Sequence, residues 1–111
     1  SLASGKVERN SRLSGSLCDA IVTPPPGELT FPILKRLAGP GIAVSEDEAL
    51  AAMAAAFSRL RIVLEPGGAV ALAAALFRKD EIDGDAVIAV ASGGNVDPGV
   101  FRQALDRFPT L

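Results

Sequence analysis

Histidine is absent from the 111 residues, and cysteine and methionine occur once each. Without an imidazole the chain cannot itself supply a His-based triad, a His general base or a His-ligated zinc. The single cysteine, Cys18, excludes an intramolecular disulfide framework and any multi-cysteine metal site. It reads as a small buried apolar residue rather than a nucleophile. A dominant charge sign is lacking too: 11 Lys and Arg are interspersed with 13 Asp and Glu, for a net charge of −2. That gives no electrostatic footprint for nucleic acid or an anionic membrane. The basic doublet Lys35 and Arg36 is explained by a solvated helix face. No stretch reaches the roughly 18 consecutive apolar residues of a membrane span, and no signal peptide is visible. The expectation is a cytoplasmic protein with neither nucleic acid nor membrane as partner. The chain does not open on methionine, and its polar residues 1–16 read as the middle of a loop, so a part of something larger is expected.

What is present is an apolar chain, 49% hydrophobic, of a size that suits one domain. Its most informative segment is A-V-I-A-V-A-S-G-G-N-V-D-P over 86–98. The unbroken apolar run predicts a strand at 86–91, buried on both faces. It empties into Ser92, Gly93, Gly94 and Asn95, and Asp97 with Pro98 announces a helix to about Phe108. Ligands of open α/β sheets gather at the carboxyl ends of such strands. Ser92 is the first polar side chain there, with its hydroxyl available to something bound at the sheet edge. The same residues also read as a plain polar turn with glycines for backbone freedom, and both readings stand at this point.

Upstream, 17–22 is a short strand-like run, and Pro24, Pro25, Pro26 and Gly27 force a stiff turn. A helix is predicted over 30–38 and a short strand at 42–44. Ser45 and Glu48 fit the S-x-x-E capping box, opening a helix to about Arg61. Leu50, Met53, Phe57 and Leu60 fall at spacings of three and four and predict one buried stripe. An extended link at 62–64 leads through Glu65 and Pro66 into a helix from Gly67 to about Arg78 that is apolar all round and must be covered on every side. Two glycines in its first turn cost roughly 1 kcal/mol each against alanine, so a packed element or a ligand needs the backbone close there. Strands alternating with helices predict an α/β fold with a mostly parallel sheet. The few short strands could scarcely bury that helix, so further sheet from absent sequence or another subunit is expected.

Five motifs occur in order: L-C-D-A over 17–20, T-P-P-P-G-E-L-T-F over 23–31, V-S-E-D-E over 44–48, L-E-P-G-G-A over 64–69 and S-G-G-N-V-D over 92–97. Together they closely resemble the C-terminal third of the threonine/serine dehydratase family, which includes serine racemase. The resemblance covers essentially the whole chain. It implies the C-terminal segment, 1–111, of the large catalytic domain of a fold-type II pyridoxal-phosphate enzyme, with the tryptophan-synthase-β-like fold. It implies a lyase that converts L-threonine or L-serine to a 2-oxo acid and ammonia, with a small amino acid as substrate and a homo-oligomer as the usual state.

By the same resemblance, Ser92 would hold the pyridine nitrogen of pyridoxal 5′-phosphate, with Gly93 in the same turn. A hydroxyl is a neutral partner for an unprotonated nitrogen, whereas a carboxylate would favour the pyridinium. Glu65 matches a glutamate near the ring, although a carboxylate opening a helix is equally an N-cap. Asp19 and Ala20 match a segment lining the cofactor edge; some relatives carry Gly at Ala20, so a backbone contact alone is implied. Asn95 and Arg61 match positions that bind a nucleotide effector in serine-racemase-like enzymes, while their own context gives turn and helix-end roles. The family's cofactor-anchoring lysine, its glycine-rich phosphate loop and its divalent-cation carboxylates have no counterpart here. Lys6, Lys35 and Lys79 are the only lysines, and none lies in that motif. The chain therefore carries no catalytic residue and no metal ligand of the family, and is expected to be inactive alone. Two alternatives remain: a small regulatory or binding α/β module without catalysis, and a phosphate-binding protein using Gly93 and Gly94, for which the glycine pair lacks a G-x-G-x-x-G pattern.

Overall fold

The computed structural model describes residues 1–110 and divides the chain into two compact units, Ser1–Ile42 and a second beginning at Ala43. In the first unit the N-terminal segment is tied to the proline turn through Asn10. Its backbone N–H donates to the Pro24 carbonyl at 2.7 Å and its Nδ2 to the Thr23 carbonyl at 2.5 Å. Helix α1 (Phe31–Leu37) accepts Pro32 in its first turn, where no intrahelical donor is lost.

The second unit is built around helix α2 (Glu46–Ala55), which packs against both α3 (Pro66–Phe77) and α4 (Pro98–Arg107). The predicted capping box is formed. The Ser45 N–H donates to Glu48 Oε2 at 2.7 Å, and the Glu48 N–H to Ser45 Oγ at 3.1 Å. Six consecutive residues, Ala49 to Ala54, are buried. Alanines on several faces leave room for two neighbouring helices, so α2 is a central helix rather than one with a single buried stripe. Two ion pairs set its direction: Arg78 reaches Glu48 at 2.9 Å and Arg107 reaches Asp47 at 2.8 Å. The carboxyl ends of α3 and α4 thus both lie at the start of α2, and both helices run antiparallel to it.

The expected stripe holds for Leu50 and Met53, both fully buried, and fails at Leu60, which is 64% exposed. Beyond Ala55 the chain continues as a π-helical turn, Ala56–Leu60, ended by Arg61 in the left-handed region (φ 60°, ψ 30°). The wider turn changes the angular step between residues, so extrapolating a 3.6-residue period mispredicts the face of Leu60. Phe57, within that turn, meets Phe101 of α4 edge to face, with ring centroids 5.3 Å apart. Asp97 caps α4, its Oδ1 accepting from the amides of Gly99 at 2.7 Å and Val100 at 3.3 Å.

The strands expected at 17–22, 42–44 and 86–91 are not formed, and among the described residues there is no strand. Residues Asp19–Ile21 close instead as a 3-10 turn. A strand is defined by its lateral hydrogen bonds, and the backbone of 86–91 has none among the described residues. Its side chains are correspondingly bare, with Ile88 94% exposed. Helix α3 is covered along Pro66, Gly67, Gly68, Ala69 and Ala73, whereas Leu76 and Phe77 are exposed. The cover on every side that its composition demands is therefore not supplied within the described residues. No helix among them is long and apolar enough to cross a membrane.

Candidate functional site

The start of α3 and the turn before α4 meet at the end of the second unit opposite the Arg78–Glu48 pair. Leu64 and Pro66 are both buried and hold Glu65 between them in extended backbone (φ −79°, ψ 162°). The Glu65 N–H donates to the Gly93 carbonyl at 3.0 Å, which joins the two segments. The Val96 N–H donates to the Gly94 carbonyl at 2.9 Å and tightens the turn.

Around that bond the chains approach so closely that side chains are excluded. A Cβ on Gly68 would overlap the Gly93 carbonyl oxygen and lie 2.9 Å from the Gly93 nitrogen. One on Gly94 would lie 2.5 Å from the Val63 carbonyl oxygen. A Cβ on Gly93 would overlap Glu65 Oε1, so the Glu65 carboxylate stands over the Gly93 α-carbon. Of the two causes expected for the glycines that open α3, a packed element is the one observed at Gly68, and it is the backbone of Gly93.

Glu65 occupies the N-cap position but its side chain makes no capping hydrogen bond. Capping, one of the two roles expected of it, therefore does not account for its carboxylate. Ser92 is exposed beside Gly93, and its hydroxyl makes no hydrogen bond among the described residues. The cluster thus presents a neutral hydroxyl and a carboxylate on a closely packed backbone junction. A planar heterocycle with a hydrogen-bonding ring nitrogen suits the hydroxyl.

Asn95 follows Gly94 in the same turn and is exposed. Arg61 ends the π-helical turn, its N–H donating to the Phe57 carbonyl at 3.1 Å and its Nη1 to the same oxygen at 3.5 Å. Asp19 and Ala20 belong to the first unit, where both are exposed in the 3-10 turn. Cys18 is half-buried, with its N–H donating to Ser16 Oγ at 3.1 Å. The approach of Gly94 to Val63 is not among the sequence expectations. Its one sequence signal is the second glycine of the pair, which a free turn would not require.

Residues 1–93 match the family described as pyridoxal-phosphate dependent enzyme. An L-threonine ammonia-lyase of Thermotoga maritima is 33% identical over 108 residues, which cover 96% of this chain and 27% of that protein. A serine racemase of Dictyostelium discoideum is 39% identical over 109 residues, covering 96% of this chain and 33% of its own. The crystal structure of the threonine deaminase of T.th. matches with a TM-score of 0.79 at 34% identity, covering 86% of this chain and 32% of that one. The chain thus spans about a quarter to a third of the length of these relatives. With most of its length matched, and with the fold of the corresponding part of a threonine deaminase, the chain belongs to the pyridoxal-phosphate dependent enzyme family.

Proposed function

We propose that this chain is the C-terminal segment of the large catalytic domain of an ammonia-lyase that dehydrates and deaminates L-threonine or L-serine to a 2-oxo acid. The observation that carries the reading is the Ser92 hydroxyl, unpartnered and exposed beside the backbone junction of Glu65 and Gly93. Relatives named threonine ammonia-lyase and threonine deaminase support elimination, and a serine racemase stands beside them. When bound, pyridoxal phosphate supplies the electron sink for the substrate α-carbon. Ser92 would donate a hydrogen bond to the ring nitrogen and, being neutral, would leave the ring uncharged. An uncharged ring withdraws electrons less strongly, which suits loss of a β-hydroxyl. The Glu65 carboxylate would orient the ligand beside Gly93. Asn95 and Arg61 receive an anionic effector. The anchoring lysine that moves the α-proton comes from residues outside this chain, as do any cation ligands.

In the same reading 62–64 and 86–91 are strands of a mostly parallel sheet completed by the rest of a cytoplasmic, homo-oligomeric enzyme. The backbone bond from Glu65 to Gly93 and the bare side chains of Val87, Ile88 and Val90 support this. The test is turnover by the complete enzyme. It is expected to release a 2-oxo acid and ammonia from L-threonine or L-serine. Ser92→Ala is expected to retain the cofactor's visible absorption and to lose about tenfold in kcat, the worth of one hydrogen bond. No cofactor absorption in the complete protein would end the lyase reading, and unchanged kinetics in Ser92→Ala would remove Ser92 from the site.

A further inference from the structure

We propose that Gly68 and Gly94 are positioning residues for the Ser92 hydroxyl, acting through backbone contact without touching the cofactor. The inference rests on the reading of Ser92 given above. Among the described residues, the backbone of 92–95 is placed by its contacts with the chain at 63–68. Gly68 lies against the peptide of Gly93 on one side, and Gly94 lies against the Val63 carbonyl on the other. Between these contacts the Glu65 N–H holds the Gly93 carbonyl at 3.0 Å. The turn is thus gripped at two successive residues directly after Ser92.

The three glycines are not equivalent. A methyl group at Gly93 meets the Glu65 carboxylate, the far end of a flexible side chain that can swing aside. A methyl at Gly68 or Gly94 meets backbone, so one segment must shift along the other. Neither has a positive φ, so conformational freedom does not explain the requirement for glycine there. Close approach does. A displacement that breaks the Ser92 hydrogen bond costs at most what deleting the hydroxyl costs, about tenfold in rate.

The experiment is a double-mutant cycle in the complete holoenzyme, with amide hydrogen exchange read alongside. In the wild type the Glu65 amide is expected to exchange at least about tenfold more slowly than an unprotected peptide amide, and Gly68→Ala and Gly94→Ala to abolish that protection. Each glycine variant is expected to lower kcat severalfold, up to the roughly tenfold loss of Ser92→Ala, with a smaller change in KM. In the Ser92→Ala background the same substitutions are expected to change kcat by less than about twofold, because the group they position is gone.

Full additivity with Ser92→Ala overturns the proposal and leaves the reading of Ser92 intact. A normal kcat in Ser92→Ala alone overturns that reading, and this proposal with it. Retained protection of Glu65 in both glycine variants also overturns the proposal. Should either variant fail to fold, the other decides. Should both fail, an unprotected Glu65 amide in the wild type counts against the proposal and a protected one for it.

Discussion

Arg61 is the one non-glycine residue with positive φ among the described residues, and it stands where a helix commonly ends on glycine. A side chain in the left-handed region crowds its own backbone. The compensating contact, from Nη1 to the Phe57 carbonyl, is long at 3.5 Å and exposed, so it returns little. Arg61→Gly is therefore expected to stabilise the fold by about 0.5 kcal/mol, the relief of strain less the added freedom of the unfolded chain. Denaturant midpoints of the complete enzyme test this. A loss of about 1 kcal/mol or more would mean that the guanidinium has a larger structural share than its geometry indicates. If the arginine serves an anionic effector as proposed, the same variant gains stability while losing the effector response.

Single residues also divide what can be read from sequence. Ser45, Glu48 and Asp97 act within one turn, so residue types at fixed offsets disclose their bonds from sequence alone. Gly68 is marked by its cost in a helix, but its partner Gly93 is 25 residues away in sequence, and no local rule names a distant partner. Glu65 stays open between capping and site roles in the sequence, because both place a carboxylate at the same position. The direction of the side chain decides against capping.

Among elements, helix boundaries are legible and strands are not. Helices satisfy their own backbone, so α1, α2, α3 and α4 follow from periodicity and caps. Segment 86–91 has the composition of a buried strand but lacks ladder partners among the described residues, and composition cannot supply a ladder. Leu60 is misassigned because a π-helical turn breaks the period that predicts its face.

The start of α2 carries a pH dependence with a definite sign. The Ser45 N–H holds the Glu48 carboxyl below the usual carboxylate range; burial opposes this, and the Arg78 guanidinium adds to it. A carboxyl held low in the folded state stabilises above its unfolded pKa, about 4.3, and this contribution is lost as pH falls through the folded value. Glu48→Gln keeps an acceptor for Ser45 but loses the charge. It is expected to lower the denaturant midpoint at neutral pH, with the gap from wild type narrowing below about pH 4.3. A gap independent of pH would contradict the assignment.

For the whole molecule, the apolar groups left bare are as informative as those that are buried. Val87, Ile88 and Val90 beside the junction, with Leu76 and Phe77 on α3, form apolar surface in the second unit that nothing described covers. The family's relatives are three to four times longer than the stretch matched here. Both facts agree with a segment whose sheet and catalytic lysine come from the remaining polypeptide. On that account the chain contributes one wall of a cofactor site, in which backbone contacts of glycines hold a serine hydroxyl at the mouth of the turn.

The 15N chemical shift of the pyridine nitrogen, recorded with labelled pyridoxal phosphate in the complete enzyme, tests that account most directly. A neutral nitrogen accepting a hydrogen bond is expected in the wild type, with a shift that moves toward the unbonded value in Ser92→Ala. A protonated nitrogen in the wild type, or an identical shift in both proteins, would contradict it.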